Sequence, residues 1–517
     1  MEPVPSTDDE HQEQHDNHNK LNLWQGVALL TADCLGVGVL ALPYDAYKLG
    51  WSFGLPFLII NFPINYFSGN YLSVIALDLE RDSDAQEDGE NATELDETAD
   101  NAELEMQENH SHKQTSRKTY AEVPKSPSAE ESMVDEDIFN DEDIVEDTLE
   151  EEDEPPVQPP TSSTYDLISI SDQVFHGPHA ARLVALLYYT NLFLVLGDYL
   201  LVMSRAVSAM LADKICLPVA GIIASLLMFA ICQLKTMANL GRKVSVVSLL
   251  AMVIVLAQCL FHHRMGSAIP IDFAERENPS MWQKLGALAS IAFAVGSQKL
   301  FLNIRHELKD RKQASTTLGW SLTSYGATYL LVILFAGPHP PSFLFDAIPE
   351  GISRRIAGLL LWGHVAVSYA INCQALCSSI DRALVLRFPV TSDDSSKRWL
   401  GLTLSVCVSS YLVANAIPFF KDLVALIGAL TSIPLTLMLP ALLHQKATNL
   451  RLWLPRVGEC FPLVGSYPLL VYSLVFFIVG LLGALSSIDQ DWLSHGKPFS
   501  CRSGDAADSI LPSDCYP

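Results

Sequence analysis

The sequence carries few cationic side chains, and they do not gather. Its 517 residues include 33 Lys and Arg against 59 Asp and Glu. No basic stripe lies outside the short connections between hydrophobic runs, which excludes the usual nucleic-acid-binding surface. The ten cysteines form no Cys-x-x-Cys pair. Most of them stand inside apolar runs, where cysteine acts as a small hydrophobic side chain.

Catalytic signatures are also missing. The sequence contains no HExxH, GxSxG or P-loop pattern, and the pair His262-His263 stands alone at the edge of a hydrophobic run. Each of those patterns would place a metal, a nucleophile or a phosphate. We therefore expect neither an enzyme nor a cofactor or metal site. Residues 1–20 lack the pattern of a signal peptide and are expected to be a disordered cytosolic N-terminus.

The acidic charge gathers in one segment. Residues 78–154 hold 30 Asp and Glu against 5 Lys and Arg, which accounts for nearly all of the formal net charge of −26. With few aromatic residues, residues 78–165 cannot bury enough apolar surface to fold alone, so we predict a disordered acidic cytosolic insert. Its charge suits a basic partner, and Ser128, Ser132 and Thr148, each with an acid three residues on, are candidate sites for a regulatory kinase.

Long hydrophobic runs make up most of the remaining chain. A bilayer-spanning helix needs about 20 mainly apolar residues. We therefore predict an all-α polytopic membrane protein with 11 transmembrane helices, two in residues 21–77, nine in 166–486, and a tail at 487–517. The runs are 24–47, 51–77, 182–212, 216–234, 244–261, 283–303, 318–337, 355–386, 399–417, 420–444 and 466–486.

Lys and Arg are more frequent in every second connection between these runs. By the positive-inside rule, we predict that the N-terminus and the acidic insert are cytosolic and that the C-terminal tail is extracellular or lumenal. The connections on the predicted cytosolic side contain Lys235, Arg242, Lys243, Arg305, Lys309, Arg311, Lys312, Arg387, Lys397, Arg398, Lys446, Arg451 and Arg456.

Two runs contain a weak point in mid-span. The first has Gly36 and Gly38, about one turn after Asp33, and the sixth has Gly296-Ser297 followed by Lys299. Glycine costs about 1 kcal/mol relative to alanine in a helix interior. Close packing through small residues explains the glycines of the first run equally well. Interrupted helices at matching positions of two five-helix repeats instead indicate a transport site at the membrane midplane.

Five segments occur in the order of one family of transporters. They are "LGVGVLALPYDAYKLGW" (35–51), "NLFLVLGDY" (191–199), "IAFAVGSQKLFLNIRHELK" (291–309), "VSYAINCQALCSSID" (367–381) and "IPFFKDLVALIGALTSIPLTLMLP" (417–440). With them the chain resembles the amino acid/auxin permease family, and within it the plant amino acid permease branch. The resemblance implies a leucine-transporter-like 5+5 inverted repeat plus one helix. It also implies uptake of an amino-acid substrate, driven by protons or in some branches by sodium, across the plasma membrane or a vacuolar or lysosomal membrane.

The resemblance also implies a substrate site between the first, third, sixth and eighth helices. The family's acid near the end of the sixth-helix motif is replaced by Asn303, and Asp33 and Lys299 are unusual for their positions. Carried over by motif, the backbone of Leu35, Gly36, Val37 and Gly38 would hold the substrate carboxylate, Val295, Gly296 and Ser297 the amino group, and Tyr199, Tyr369 and Gln374 would line the pocket.

Ionisable side chains at membrane depth are costly and face the bundle interior or a cavity. Asp33, Asp198 and Lys299 are the candidate proton-coupling groups, since burial disfavours the charged form of a carboxyl group. Asp33 can instead form a static ion pair with Lys299 or contact the substrate, and Asp198 can belong to a structural network. Two functions remain open. One is a transporter that works by alternating access, and the other is an amino-acid sensor that signals through the acidic insert.

Overall fold

The computed structural model describes residues 20–115, 166–233, 237–265, 280–387, 394–449, 466–495 and 498–499. The chain divides into two compact units, Met1–Asp78 with Tyr165–Pro517, and Leu79–Thr164. Residues 1–19, the part of the acidic insert from 116 to 165, and most of the predicted C-terminal tail lie outside the described residues.

The described residues are largely α-helical. The helices are α1 (Leu23–Cys34), α2 (Leu42–Leu49), α3 (Trp51–Thr115), α4 (Leu167–Phe175), α5 (Pro178–Met210), α6 (Leu217–Cys232), α7 (Met237–Met265), α8 (Met281–Val295), α9 (Gln298–Glu307), α10 (Ala314–Ala336), α11 (Ile352–Arg387), α12 (Asp394–Ala416), α13 (Phe420–Ile427), α14 (Leu439–Asn449) and α15 (Ser466–His495). Short 3-10 turns occur at Val37–Leu40, Arg311–Gln313 and Leu344–Ala347.

Eight helical stretches in the described part of the chain are long and apolar enough to cross a membrane, and α6 is a shorter apolar helix. This confirms an all-helical polytopic membrane protein. The first predicted span is divided between α1 and α2, each too short to cross a bilayer alone. The second, at the start of α3, contains Asn61, Asn65 and Asn70, which lower its hydropathy. The count of eleven and the inverted repeat stay predictions.

Helices α3 and α15 continue into segments predicted to lie outside the membrane-spanning part of the chain. Helix α3 runs to Thr115, into the segment predicted to be disordered. From Leu79 onward its commonest residue is Glu, which has high helix propensity. Helix α15 ends at His495, past the predicted start of the tail at 487.

Glycines bring the backbone of α8 close to its neighbours. A Cβ on Gly428, just after α13, would lie 1.9 Å from the carbonyl oxygen of Ala289. One on Gly483 of α15 would lie 2.5 Å from the amide nitrogen of Gly286. Two π-helical turns, Gly428–Ser432 and Pro434–Met438, follow α13; the first packs against α8 and the second against α9. Helix α8 is therefore clamped between α15 and this segment.

Candidate functional site

The first interruption separates α1 from α2. The amide of Leu35 donates to the carbonyl of Thr31 over 2.8 Å and closes α1. Gly36 is extended, with φ −79° and ψ −157°, and the 3-10 turn Val37–Leu40 follows it. The first N–H groups of a helical turn have no partner within it. The amides of Val37 and Gly38 are thus donors at a helical N-terminus.

The first interruption needs glycine for close packing and not for an unusual backbone conformation. The φ of Gly36 is open to any residue. A Cβ on Gly38, however, would lie 3.3 Å from the ring of Phe293 and 3.4 Å from Ala294. Gly38 therefore lets the 3-10 turn approach the end of α8.

The second interruption separates α8 from α9 at Gly296 and Ser297. The side-chain amide of Gln298 donates to the backbone carbonyl oxygen of Asn65 over 2.8 Å and to Asn65 Oδ1 over 2.9 Å. This fixes the start of α9 to α3. A Cβ on Gly296 would lie 3.1 Å from Thr436 Cγ2, so the π-helical segment packs directly against the interruption.

Two tyrosines of α10 satisfy carbonyl groups freed by the helix ends. The hydroxyl of Tyr329 lies between the carbonyl oxygens of Cys34 and Ala294, 3.0 Å from the latter, and can donate to either. The hydroxyl of Tyr325 donates to the carbonyl of Val295 over 3.1 Å. The same helix therefore supports both interruptions, and the Val295 carbonyl expected to meet a substrate amino group already accepts a hydrogen bond.

Two cavities meet beside the interruptions. The larger, about 740 Å³, extends to Glu307, whose carbonyl accepts from the amide of Leu21 just before α1. It therefore reaches the end of the bundle at which α1 begins. The smaller, about 70 Å³, is lined by Gly36, Val37, Gly38, Tyr199 and Gly296. Five residues line both cavities: Asp33, Tyr188, Lys299, Leu300 and Asn372.

Asp33 and Lys299 are the charged residues shared by the two cavities. They are half-buried and close enough for their charges to interact. The Lys299 ammonium lies 3.5 Å from Ser432 Oγ and 5.1 Å from the centroid of the Phe293 ring, a cation–π arrangement. Among the described residues, Lys299 forms no direct ion pair with Asp33.

A family model for transmembrane amino acid transporter proteins matches residues 148–486, well over half of the chain. The chain belongs to this family of transmembrane amino acid transporters. Membership confirms the resemblance drawn from the sequence and the prediction of a transport protein rather than an enzyme. The matched range starts after α3, so the first interruption lies outside it.

Several proteins are similar to this family member over long stretches. The N amino acid transport system protein of Neurospora crassa is 24% identical over 357 residues, which cover 64% of this chain and 73% of that protein. Amino acid permease 2 of Arabidopsis thaliana is 22% identical over 251 residues, 43% of this chain and 49% of the permease. The vesicular GABA transporter of Caenorhabditis elegans is 23% identical over 215 residues, 39% and 44% of the two chains.

Most predicted site residues of this family member surround the two cavities. Leu35, Val295 and Ser297 are buried at the interruptions themselves, and Gln374 lines the larger cavity. Tyr369 lines neither cavity, because its hydroxyl faces α12, 3.3 Å from Ser410 Oγ. Asp198 is also away from both cavities. It is fully buried, and neither carboxyl oxygen has a hydrogen-bond partner in the described part of the chain.

Two further polar residues at the site, Asn191 and Tyr188, are not among those predicted from the sequence motifs. The side chain of Asn191 on α5 donates to Thr431 Oγ1 over 2.7 Å and so ties α5 to the π-helical segment. The Tyr188 hydroxyl, one helical turn earlier, contacts the Asn303 side chain. Polar side chains inside the apolar run of α5 are the available sequence signal for both, since such groups face the protein interior in a membrane.

Proposed function

We propose that this protein is a secondary active transporter of amino acids that binds its substrate at the two helix interruptions. The observation that carries the proposal is their proximity: Gly38 in the first packs against Ala294 and Phe293 at the end of α8. The amides of Val37 and Gly38 are suited to a carboxylate, because a helical N-terminus favours anions. The substrate amino group would lie toward Gly296 and Ser297. Relatives named as amino acid transport proteins and permeases support this substrate class.

The proposed coupling ion is a proton, and the proposed coupling group is Asp33. Asp33 lines both cavities, so a change in its charge state acts at the junction through which the substrate would pass. The nearby ammonium of Lys299 supports a proton over sodium, because a fixed positive charge repels a metal cation. Protonation of Asp33 would release Lys299 from their mutual attraction and free it to move.

Alternating access is supported by the different packing at the two ends of the bundle. At the end where α2 ends, Arg205 on α5 pairs with Asp346 over 3.1 Å, and Arg354 on α11 pairs with Asp213 over 3.0 Å. The larger cavity instead reaches the end at which α1 begins. With the predicted cytosolic N-terminus, the conformation would be inward-facing, and 11 transmembrane helices with an inverted repeat would allow the reverse opening.

The test is uptake of a panel of labelled amino acids into proteoliposomes with an inward proton gradient, with and without sodium. The proposal predicts concentrative uptake in sodium-free buffer that a protonophore abolishes. Uptake that requires sodium would show that the coupling ion is sodium rather than a proton, and it would leave the proposed substrate site unchanged. Binding of an amino acid without uptake under any gradient would contradict transport and favour the sensor.

A further inference from the structure

A second group of ionisable residues is buried at the end of the bundle where α2 ends. Its members are Asp45 and Lys48 on α2, Lys421 and Asp422 on α13, and Asp491 on α15, here called the charge cluster. Asp45, Lys48, Asp422 and Asp491 are only 3%, 8%, 2% and 5% exposed, and the Lys421 side chain is 15% exposed. Ionisable groups so deeply buried need charged or hydrogen-bonding partners.

One part of the charge cluster joins α13 to α15. The ammonium of Lys421 lies 2.8 Å from Asp491 Oδ2. Asp422 Oδ1 accepts a hydrogen bond from Ser487 Oγ over 2.7 Å. The carboxyl group of Asp422 is also within hydrogen-bonding reach of the carboxyl group of Asp491. Two acids therefore meet beside a single ammonium group.

The other part lies on α2. Asp45 Oδ2 accepts from Ser290 Oγ of α8 over 2.5 Å. The Lys48 ammonium lies 4.5 Å from the centroid of the Tyr44 ring, and the Lys421 ammonium lies 6.0 Å from the same ring. The charge cluster thus connects α2, which follows the first interruption, to α8, α13 and α15.

The carboxyl groups of the charge cluster outnumber its ammonium groups by three to two. From α5, Arg205 approaches the start of α13, but its guanidinium binds Asp346 and the carbonyl of Pro418. Asp422 Oδ2 is buried and receives no hydrogen bond among the described residues. Two carboxylates in contact cannot both remain ionised at low cost, and one shared proton resolves the conflict.

We propose that Asp422 and Asp491 form a proton-binding site separate from Asp33. One proton, taken from water at this end of the bundle, is held between Asp422 Oδ2 and the Asp491 carboxyl group. Bound there, it leaves two carboxylates to balance Lys48 and Lys421 and keeps α13 and α15 packed under α2. A role for this proton in transport would rest on the proposed transporter function, whereas proton binding itself does not.

The test is infrared difference spectroscopy of the purified full-length protein in detergent, titrated with pH. The band to follow is the carbonyl stretch of protonated carboxyl groups. Asp422→Asn and Asp491→Asn should each remove the same component of this band. Asp33→Asn, and Asp489→Asn at an exposed position of α15, should retain it. The side-chain amide that Asp422→Asn introduces can donate to Asp491 in place of the proton, so this variant should fold.

Ser487→Ala provides a second, milder variant. It retains every carboxyl group but removes the hydrogen bond to Asp422 Oδ1, and it should shift the frequency of the same component. A component that survives unchanged in Asp422→Asn, Asp491→Asn and Ser487→Ala alike, or a wild-type spectrum without any protonated carboxyl group, would overturn the proposal. Because the spectra require no transport, this result is independent of whether the protein proves to be a transporter.

Discussion

Asp33 and Lys299 stand on the two interrupted helices and line the junction of the two cavities. Their charges interact, while the ammonium of Lys299 also contacts Ser432 and the ring of Phe293. This arrangement links the charge state of α1 to the position of α9. A pair without direct contact can separate at lower cost than a closed buried ion pair.

Replacement of Asp33 by Asn tests this link. The variant should exchange internal for external amino acid at a rate similar to wild type but fail to accumulate substrate under a proton gradient, because the group that binds the coupling proton is gone. Counterflow and gradient-driven uptake in proteoliposomes measure the two activities. Asp489→Asn, on the exposed face of α15, is the matched control. Loss of folded Asp33→Asn protein would instead indicate a structural ion pair.

Tyr329→Phe removes the hydroxyl that serves the carbonyl groups of Cys34 and Ala294. Leaving a buried carbonyl group unsatisfied costs about 1–3 kcal/mol. We therefore expect a lower thermal unfolding temperature in detergent and slower uptake. Tyr467→Phe, at a position 63% exposed, should change neither. A Tyr329→Phe variant as stable and as active as wild type would show that α10 does not support the interruptions.

Gly428→Ala tests the close approach of the π-helical segment to α8. The added methyl group would lie 1.9 Å from the carbonyl oxygen of Ala289, and overpacking of this kind costs about 1–3 kcal/mol or more. We expect little monodisperse protein on size-exclusion chromatography. Gly363→Ala on α11 is the control, since a Cβ there meets nothing within 4 Å and alanine favours a helix by about 1 kcal/mol. Equal yields of the two variants would contradict the packing described for Gly428.

The helical membrane architecture and both interruptions could be predicted because they depend on local sequence. Run length indicates a span, and glycines with polar residues in mid-run mark a break. The partners of the breaks could not be predicted. Tyr329 lies 295 residues from Cys34, and hydrophobic periodicity does not fix the rotation of a helix that is apolar on all sides. For the same reason, the sequence could not show that Tyr369 faces α12 rather than a cavity.

The extent of α3 shows a different limit. The acidic composition of residues 78–165 predicts disorder, although Glu, the commonest residue from Leu79 to Thr115, has high helix propensity. The helix continues to Thr115. Disorder of residues 78–165 as a whole stays a prediction, because residues 116–165 lie outside the described part of the chain.

Cys34 offers the most direct test of the substrate site. It is the half-buried thiol among the free cysteines in the described part of the chain, and it lines the smaller cavity beside Gly36 and Gly38. Its rate of alkylation by a small maleimide can be followed by mass spectrometry of its own peptide, with Cys34→Ser as the control. With a transported amino acid at about ten times its dissociation constant, mass action leaves only about one site in ten empty. The account therefore predicts alkylation about tenfold slower. An unchanged rate in protein that transports the same amino acid would place the substrate elsewhere.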